Sequence, residues 1–183
     1  AGLVMHARKG GGAFLEDRRI YVFGGPSPVG NRIAALPASF RDSFHFEQPM
    51  LGKMGDVRVT GSIAYELAMT AKGVFQYSVT GGPRLWDVAG GAAIVFEAGG
   101  AVMAVRREEG IRGFLTSRVR WGPVESLIPS WQSGETTYEE LRKWSRPLIW
   151  GSREVVEYVT EHMRGRRSLR RRLAHLVRRR KRR

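Results

Sequence analysis

The stretch from Thr60 to Val105 runs helix, strand, helix, strand, and that order constrains the fold more than any other feature of the chain. Thr60-Gly61-Ser62 can cap a helix whose apolar positions include Ile63, Leu67, Ala68 and Ala71, with Gly73 as its stop. Residues 74–79 then alternate, imperfectly, as a strand does. Gly81-Gly82-Pro83 turns the chain, and Asp87 stands at the head of a second helix over residues 88–98, which ends at Gly99-Gly100. A strand over residues 101–105 comes next. Helices and strands in this order predict a layered α/β (α+β) unit over residues 33–162, with a mixed sheet packed by the 62–72 and 88–98 helices.

The flanking segments carry weaker signals. Residues 2–7 and 19–23 read as short strands around the glycine-rich turn Lys9-Gly10-Gly11-Gly12-Ala13-Phe14. A loop with Gly24, Gly25, Pro26 and Pro28 leads to a strand at residues 33–36, and residues 37–56 read as irregular, broken by Pro37, Pro49, Gly52 and Gly55. Thr137-x-x-Glu140 resembles a capping box before Leu141 and Trp144. A strand over residues 147–150 and a helix over 152–163 complete the body.

Charge separates the body from a basic C-terminal tail. The net charge of +14 suggests a nucleic-acid binder until it is located. Residues 164–183 hold twelve Arg or Lys and no acid, which leaves residues 1–163 at +2. Within this tail Leu169, Leu173, Leu176 and Val177 fall on one helical face. Such a segment suits an anionic membrane or a nucleic acid, and equally suits a solubilising tail with no fixed structure. No aromatic residue occurs after Tyr158, which argues against base stacking by the tail. The chain has no cysteine, which excludes disulfides, thiolate zinc sites and a cysteine nucleophile, and fits a reducing, cytoplasmic setting. No leader-like segment and no apolar run of the roughly 20 residues needed to span a bilayer is visible.

The candidate chemistry lies at the two helix starts. Gly81-Gly82-Pro83-Arg84-Leu85-Trp86-Asp87 delivers a carboxylate to a helix N-terminus beside an indole. Asp87 as a plain N-cap would be worth about 1 kcal/mol. Asp87 as a hard oxygen ligand for Mg²⁺ is the sharper alternative, because that ion takes carboxylates, waters and phosphate oxygens. The helix start at Gly61-Ser62 adds backbone donors suited to an anion. Trp86 either shapes such a site or is a core aromatic.

Gly61-Ser62-Ile63-Ala64-Tyr65-Glu66-Leu67-Ala68, then Trp86-Asp87-Val88-Ala89-Gly90-Gly91 and Glu97-Ala98-Gly99-Gly100, closely resemble the C-terminal signature of the inositol monophosphatase family. Arg8-Lys9-Gly10-Gly11-Gly12-Ala13-Phe14-Leu15 also resembles the glycine turn that precedes that region. The resemblance implies the C-terminal part of that family's fold, and hydrolysis of a phosphomonoester (sugar, inositol or nucleotide phosphate) with Mg²⁺ as cofactor. Carried over by position, Asp87 becomes the metal ligand, and Gly61, Ser62, Ile63 and Thr80 become substrate-binding residues.

The departures are as specific. The family's glutamate motif and its Asp-Pro-x-Asp-Gly-Thr motif do not occur here, and Asp17, Asp42 and Asp56 stand in other contexts. Thr80 stands where inositol-cleaving members commonly carry glutamate, and Gln76 where they often have aspartate. The expected protein is therefore a phosphatase piece, inactive alone. It divides into residues 1–32 as exposed strands of a neighbouring sheet, 33–163 as the phosphatase subdomain and 164–183 as the tail. The partners implied are a phosphorylated small molecule, a second copy in a homodimer, and anionic membrane or nucleic acid through the tail. The alternative is a non-catalytic binding protein that acts through that tail. His6, His45, His162 and His175 lack metal-ligand spacing, Gly25–Gly30 lacks the Lys and Ser/Thr of a phosphate loop, and the pairs Glu108-Glu109 and Glu139-Glu140 read as solvated faces.

Overall fold

The computed structural model describes residues 2–106, 119–128 and 133–165. Their elements run β1 (Met5–Arg8), β2 (Gly12–Leu15), β3 (Arg18–Ile20), β4 (Ile33–Ala35), α1 (Phe40–Ser43), β5 (Phe44–Phe46), β6 (Asp56–Arg58), α2 (Ile63–Ala71) and β7 (Phe75–Thr80). Then come α3 (Leu85–Glu97), β8 (Ala101–Arg106), β9 (Arg120–Pro123), α4 (Tyr138–Lys143), β10 (Leu148–Gly151), α5 (Arg153–Glu161) and β11 (Met163–Gly165).

A mixed six-stranded sheet in the order β6-β4-β7-β10-β8-β9 forms the centre. Its pairings fix the strand directions. β4 runs parallel to both β6 and β7, and β10 runs antiparallel to β7 and to β8. The carboxyl ends of β6, β4, β7 and β8 therefore reach one edge of the sheet, and Thr80, Ala104 and Leu148 lie side by side there.

Period-two alternation distributes side chains to the two faces. On β10, Leu148 and Trp150 join Leu67, Ala71, Val88, Ala92, Val95 and Val102 under α2 and α3. Ile149 points the other way, to Tyr77, Val79, Met103 and the α5 residues Val155, Val156 and Val159. All six residues of β7 are buried, because helices or loops cover both of its faces.

β1, β2 and β3 form a separate antiparallel sheet stacked on α3, where Ala13 and Ile20 enter the same core as Val95 and Ala98. The expectation of exposed leftover strands is thus corrected in part. Leu3 and Val4 are open to solvent, but the hairpin has a buried face that the helix covers. The 37–56 segment, expected to be irregular, holds α1, β5 and the start of β6. β5 pairs antiparallel with β11, Phe44 opposite Gly165 and Phe46 opposite Met163. The first two residues assigned to the tail, Arg164 and Gly165, thereby belong to the folded body, and Arg164 also pairs with Glu47 at 2.9 Å. The tail's apolar stripe and the Glu108-Glu109 pair lie outside the described residues. Among the described residues no helix is long and apolar enough to cross a membrane.

Candidate functional site

Chain direction brings the two helix starts together. α2 leaves the edge where β6 ends, β7 returns to that edge, and α3 departs from it again. Hydrogen bonds fix this arrangement. Ser78 Oγ lies 2.5 Å from Thr70 Oγ1 and donates to the Glu66 carbonyl at 3.4 Å, so the end of β7 climbs alongside α2 toward its N-terminus. A Cβ on Gly81 would meet Pro37 Cγ at 3.5 Å and Ser39 Oγ at 3.7 Å, which brings the loop after β4 to the same place. Ligands of open sheets with parallel strands bind in this position, outside the carboxyl ends of the strands.

Ser62 caps α2, its Oγ accepting the Tyr65 N–H at 3.4 Å, while the Ser62 carbonyl accepts Glu66 N–H at 3.0 Å. Of the four donors a helix start leaves unmet, the Ile63 and Ala64 amides remain for solvent or a ligand. Gly61 carries φ of +76°, the left-handed region where a side chain is strained, and this lets the chain turn from β6 into the helix. Beneath the turn Glu66 is only 5% exposed, and its Oε1 accepts Thr60 Oγ1–H at 2.7 Å and Thr60 N–H at 3.4 Å. Glu66 stands inside the Gly61–Ala68 motif, but the sequence gives it no role. Its signal is an acid on the helix face that also carries Leu67, Thr70 and Ala71.

α3 starts a turn earlier than its apolar pattern predicts, at Leu85, so Asp87 stands inside the first turn and not at the cap. Its Oδ2 accepts the Arg84 backbone N–H at 2.8 Å, and its own N–H reaches the Arg84 carbonyl at 3.1 Å. Oδ1 has no hydrogen-bond partner among the described residues. The N-cap alternative is corrected in position only: Arg84 is the N-cap, and Asp87, three residues on, caps the helix by accepting the Arg84 backbone N–H while Oδ1 stays without a partner among the described residues. Trp86 is 65% exposed, which removes its reading as a core aromatic. Arg84, which no sequence motif marks, donates from its guanidinium to the Arg142 carbonyl at 3.1 Å and ties α4 to this turn.

Thr80 reaches the same edge but faces inward. It is 2% exposed, and its Oγ1 accepts the Trp150 indole N–H at 3.1 Å. The structure therefore brings Gly61, Ser62, Ile63 and Asp87 to one accessible edge, and turns the Thr80 hydroxyl into the core. Gln76 is also internal: its amide clasps the Val29 backbone, accepting at 2.8 Å and donating at 3.1 Å.

The Glu-Ala-Gly-Gly motif has a different task. At the far end of α3, Glu97 accepts the Gly10 N–H through Oε1 at 2.8 Å and the Gly12 N–H through Oε2 at 2.9 Å. These two amides, with Arg19 and Lys9 adding attraction, hold its carboxyl below the usual carboxylate range. The signature's glycine turn and its glutamate are thus two halves of one clamp.

Magnesium fits this edge in kind but not in number. Asp87 offers one hard oxygen, but the ion prefers an octahedron of oxygens. Among the described residues no group of three or more His, Cys, Asp or Glu could hold a metal.

Comparison with known proteins agrees with the motifs. The profile of the inositol monophosphatase family matches residues 1–144. An inositol-1-monophosphatase of Mesorhizobium japonicum is 33% identical over 99 residues, covering 51% of this chain and 37% of the relative. A putative Nus factor SuhB of Neisseria meningitidis is 32% identical over 112 residues, covering 58% of this chain and 43% of the relative. Among solved structures, the extragenic suppressor protein suhB of Bartonella henselae superposes with a TM-score of 0.54 at 22% identity, over 87% of this chain and 52% of the other. Inositol monophosphatase-II of Staphylococcus aureus gives 0.54 at 17% identity, over 86% and 51%. The chain thus spans about half the length of these solved structures, and less than half of the curated relatives it matches.

Proposed function

Taking as premise that the chain belongs to the inositol monophosphatase family, we propose that its sheet edge is one side of a Mg²⁺-dependent phosphomonoesterase site. The observation that carries this reading is the convergence of two helix starts, at Ser62 and Leu85, with the open Oδ1 of Asp87 in the first turn of α3. A phosphate oxygen suits the unmet Ile63 and Ala64 amides, because helix N-termini favour anions. Gly61 lets the substrate approach the turn closely, and Glu66 holds that turn through Thr60. Asp87 gives the metal one oxygen. The ion, when bound, supplies activation of water and neutralisation of the leaving oxygen. A phosphorylated small molecule is the substrate class, as a sugar, inositol or nucleotide phosphate.

One carboxylate does not hold magnesium against its waters, so the 183-residue chain alone is expected to turn over phosphomonoesters negligibly. The test is a fusion that supplies the family's glutamate and Asp-Pro-x-Asp-Gly-Thr motifs ahead of this chain. Magnesium-dependent release of phosphate from a generic phosphomonoester is expected to appear in the fusion, and Asp87→Asn to lower it on the order of 100-fold. An equally active Asp87→Asn fusion would reduce Asp87 to a turn-closing residue.

A second reading is a non-catalytic member that binds polyanions through the eleven Arg and Lys that follow Gly165. It predicts an inactive fusion, together with binding to nucleic acid or anionic vesicles that weakens with salt and disappears on truncation after Gly165.

A further inference from the structure

A cavity of about 540 Å³ lies on the sheet face opposite α2 and α3, with Pro37 and Val59 marking its end nearest the helix starts. Its wall is built from Leu36, Phe40, Phe44, Phe46 and Met54, and Leu51 and Val59 line it while 51% and 58% exposed. The aromatic part is set by mutual packing. The Phe40 ring lies 5.9 Å from Phe44 and 4.9 Å from Phe46, and Phe46 meets Tyr77 edge-on at 6.5 Å. A preformed apolar hollow of this volume is the size of a small-molecule site.

Two groups interrupt the apolar lining. Arg41 is exposed and makes no ion pair among the described residues. His45 lines the same wall, and its buried Nδ1 has no hydrogen-bond partner among them. No acid lines the cavity, and Arg41 is the one Arg or Lys among its lining residues. We propose that this cavity binds an amphipathic monoanion, a medium-chain carboxylate whose tail lies on the phenylalanine wall and whose head pairs with the Arg41 guanidinium. Guanidinium matches a carboxylate through two parallel donors. The alkyl chain of the ligand covers the apolar wall and the exposed Leu51 and Val59, which otherwise face water.

Octanoate is the probe, titrated into the 183-residue chain and followed by backbone amide shifts. Saturable shifts are expected at Phe40, Phe44 and Phe46, with octylamine binding more weakly. Arg41→Glu, at an exposed position, should weaken octanoate about tenfold or more and invert the preference toward octylamine. Ala38→Trp, at an exposed position on the lining, should fill the hollow and abolish the response to both. Absence of saturable shifts in the unsubstituted chain overturns the proposal, as does an octanoate affinity unchanged from the unsubstituted chain in either variant. It is also overturned if the shifts appear only after deletion of residues 166–183, or only when a dimer is diluted to monomer. Those results would make the occupant the chain's own segment or a second copy.

Discussion

The two ends of α3 carry one carboxylate each, and the two carboxylates are used in opposite ways. At the last residue, both oxygens of Glu97 are taken by the Gly10 and Gly12 amides, and the helix is fastened to the hairpin. In the first turn, Asp87 uses Oδ2 on Arg84 and leaves Oδ1 open beside an exposed Trp86. Both acids belong to the family signature. A single motif can therefore mix an acid whose two oxygens are both taken with one that keeps an oxygen open, and counting used lone pairs tells them apart.

The contrast between the two ends holds only while α3 lies flush on α2, so its largest test is at the helix middle. A Cβ at Gly91 would stand 2.6 Å from Leu67 Cδ1 and 2.7 Å from Leu67 Cβ, too near for rotation of the leucine to relieve. Gly91→Val is expected to destabilise by about 1–3 kcal/mol in denaturant unfolding. Gly90 faces open space, so Gly90→Ala should raise stability by up to about 1 kcal/mol through helix propensity. Equal responses at the two positions would show that the helices do not pack through Gly91.

Glu97 gives the next effect. Glu97→Gln replaces one acceptor oxygen with a donor that faces an N–H, so amide exchange at Gly10 and Gly12 should quicken while α2 and β7 stay protected. The pH dependence has a definite sign. Because the folded carboxyl titrates below its ordinary 4.5, its contribution is present above that pH and fades as pH falls through the lowered folded value. Exchange at Gly10 and Gly12 should therefore rise in acid in the unsubstituted chain, beyond the intrinsic trend, and not in Glu97→Gln. The smallest expected effect is at Asp87. Asparagine keeps an oxygen for the Arg84 N–H, so Asp87→Asn should cost only a few tenths to about 1 kcal/mol, the share of a charge at a helix start. A loss well above that would make Asp87 the structural acid.

The parts of this arrangement that are legible in the sequence are those whose signal is local. Ser62 as a cap, the apolar spacing of α2 and the Thr137-Glu140 capping box all stand in the structure, the last with Thr137 N–H donating to Glu140 Oε2 at 2.9 Å. The start of α3 is harder to place, because Pro83 looks like a breaker, and Leu85 and Trp86 then extend the helix ahead of the apparent cap. Strands of three residues, such as β5 and β6, are too short for a period to show. Thr80 owes its expected role to its position in a motif, but which way a residue of a doubly buried strand faces is decided by Trp150, far along the chain. The Glu97 clamp leaves no local signal for the same reason, its partners lying at the other end of the sequence.

If the first turn of α3 faces a metal and its last turn does not, a paramagnetic ion should distinguish the two ends directly. Manganese takes the same carboxylate and water oxygens as magnesium, and its paramagnetism reports even weak binding through amide line broadening. Titrating Mn²⁺ into the 183-residue chain should broaden Leu85, Trp86, Asp87 and Val88 first, with Gly61, Ser62, Ile63 and Ala64 next, and leave Gly10, Gly12 and Glu97 sharp. Asp87→Asn should remove that broadening. Broadening centred on Glu97, or unchanged at Leu85–Val88 in Asp87→Asn, would contradict the assignment of Asp87 as the metal-facing acid.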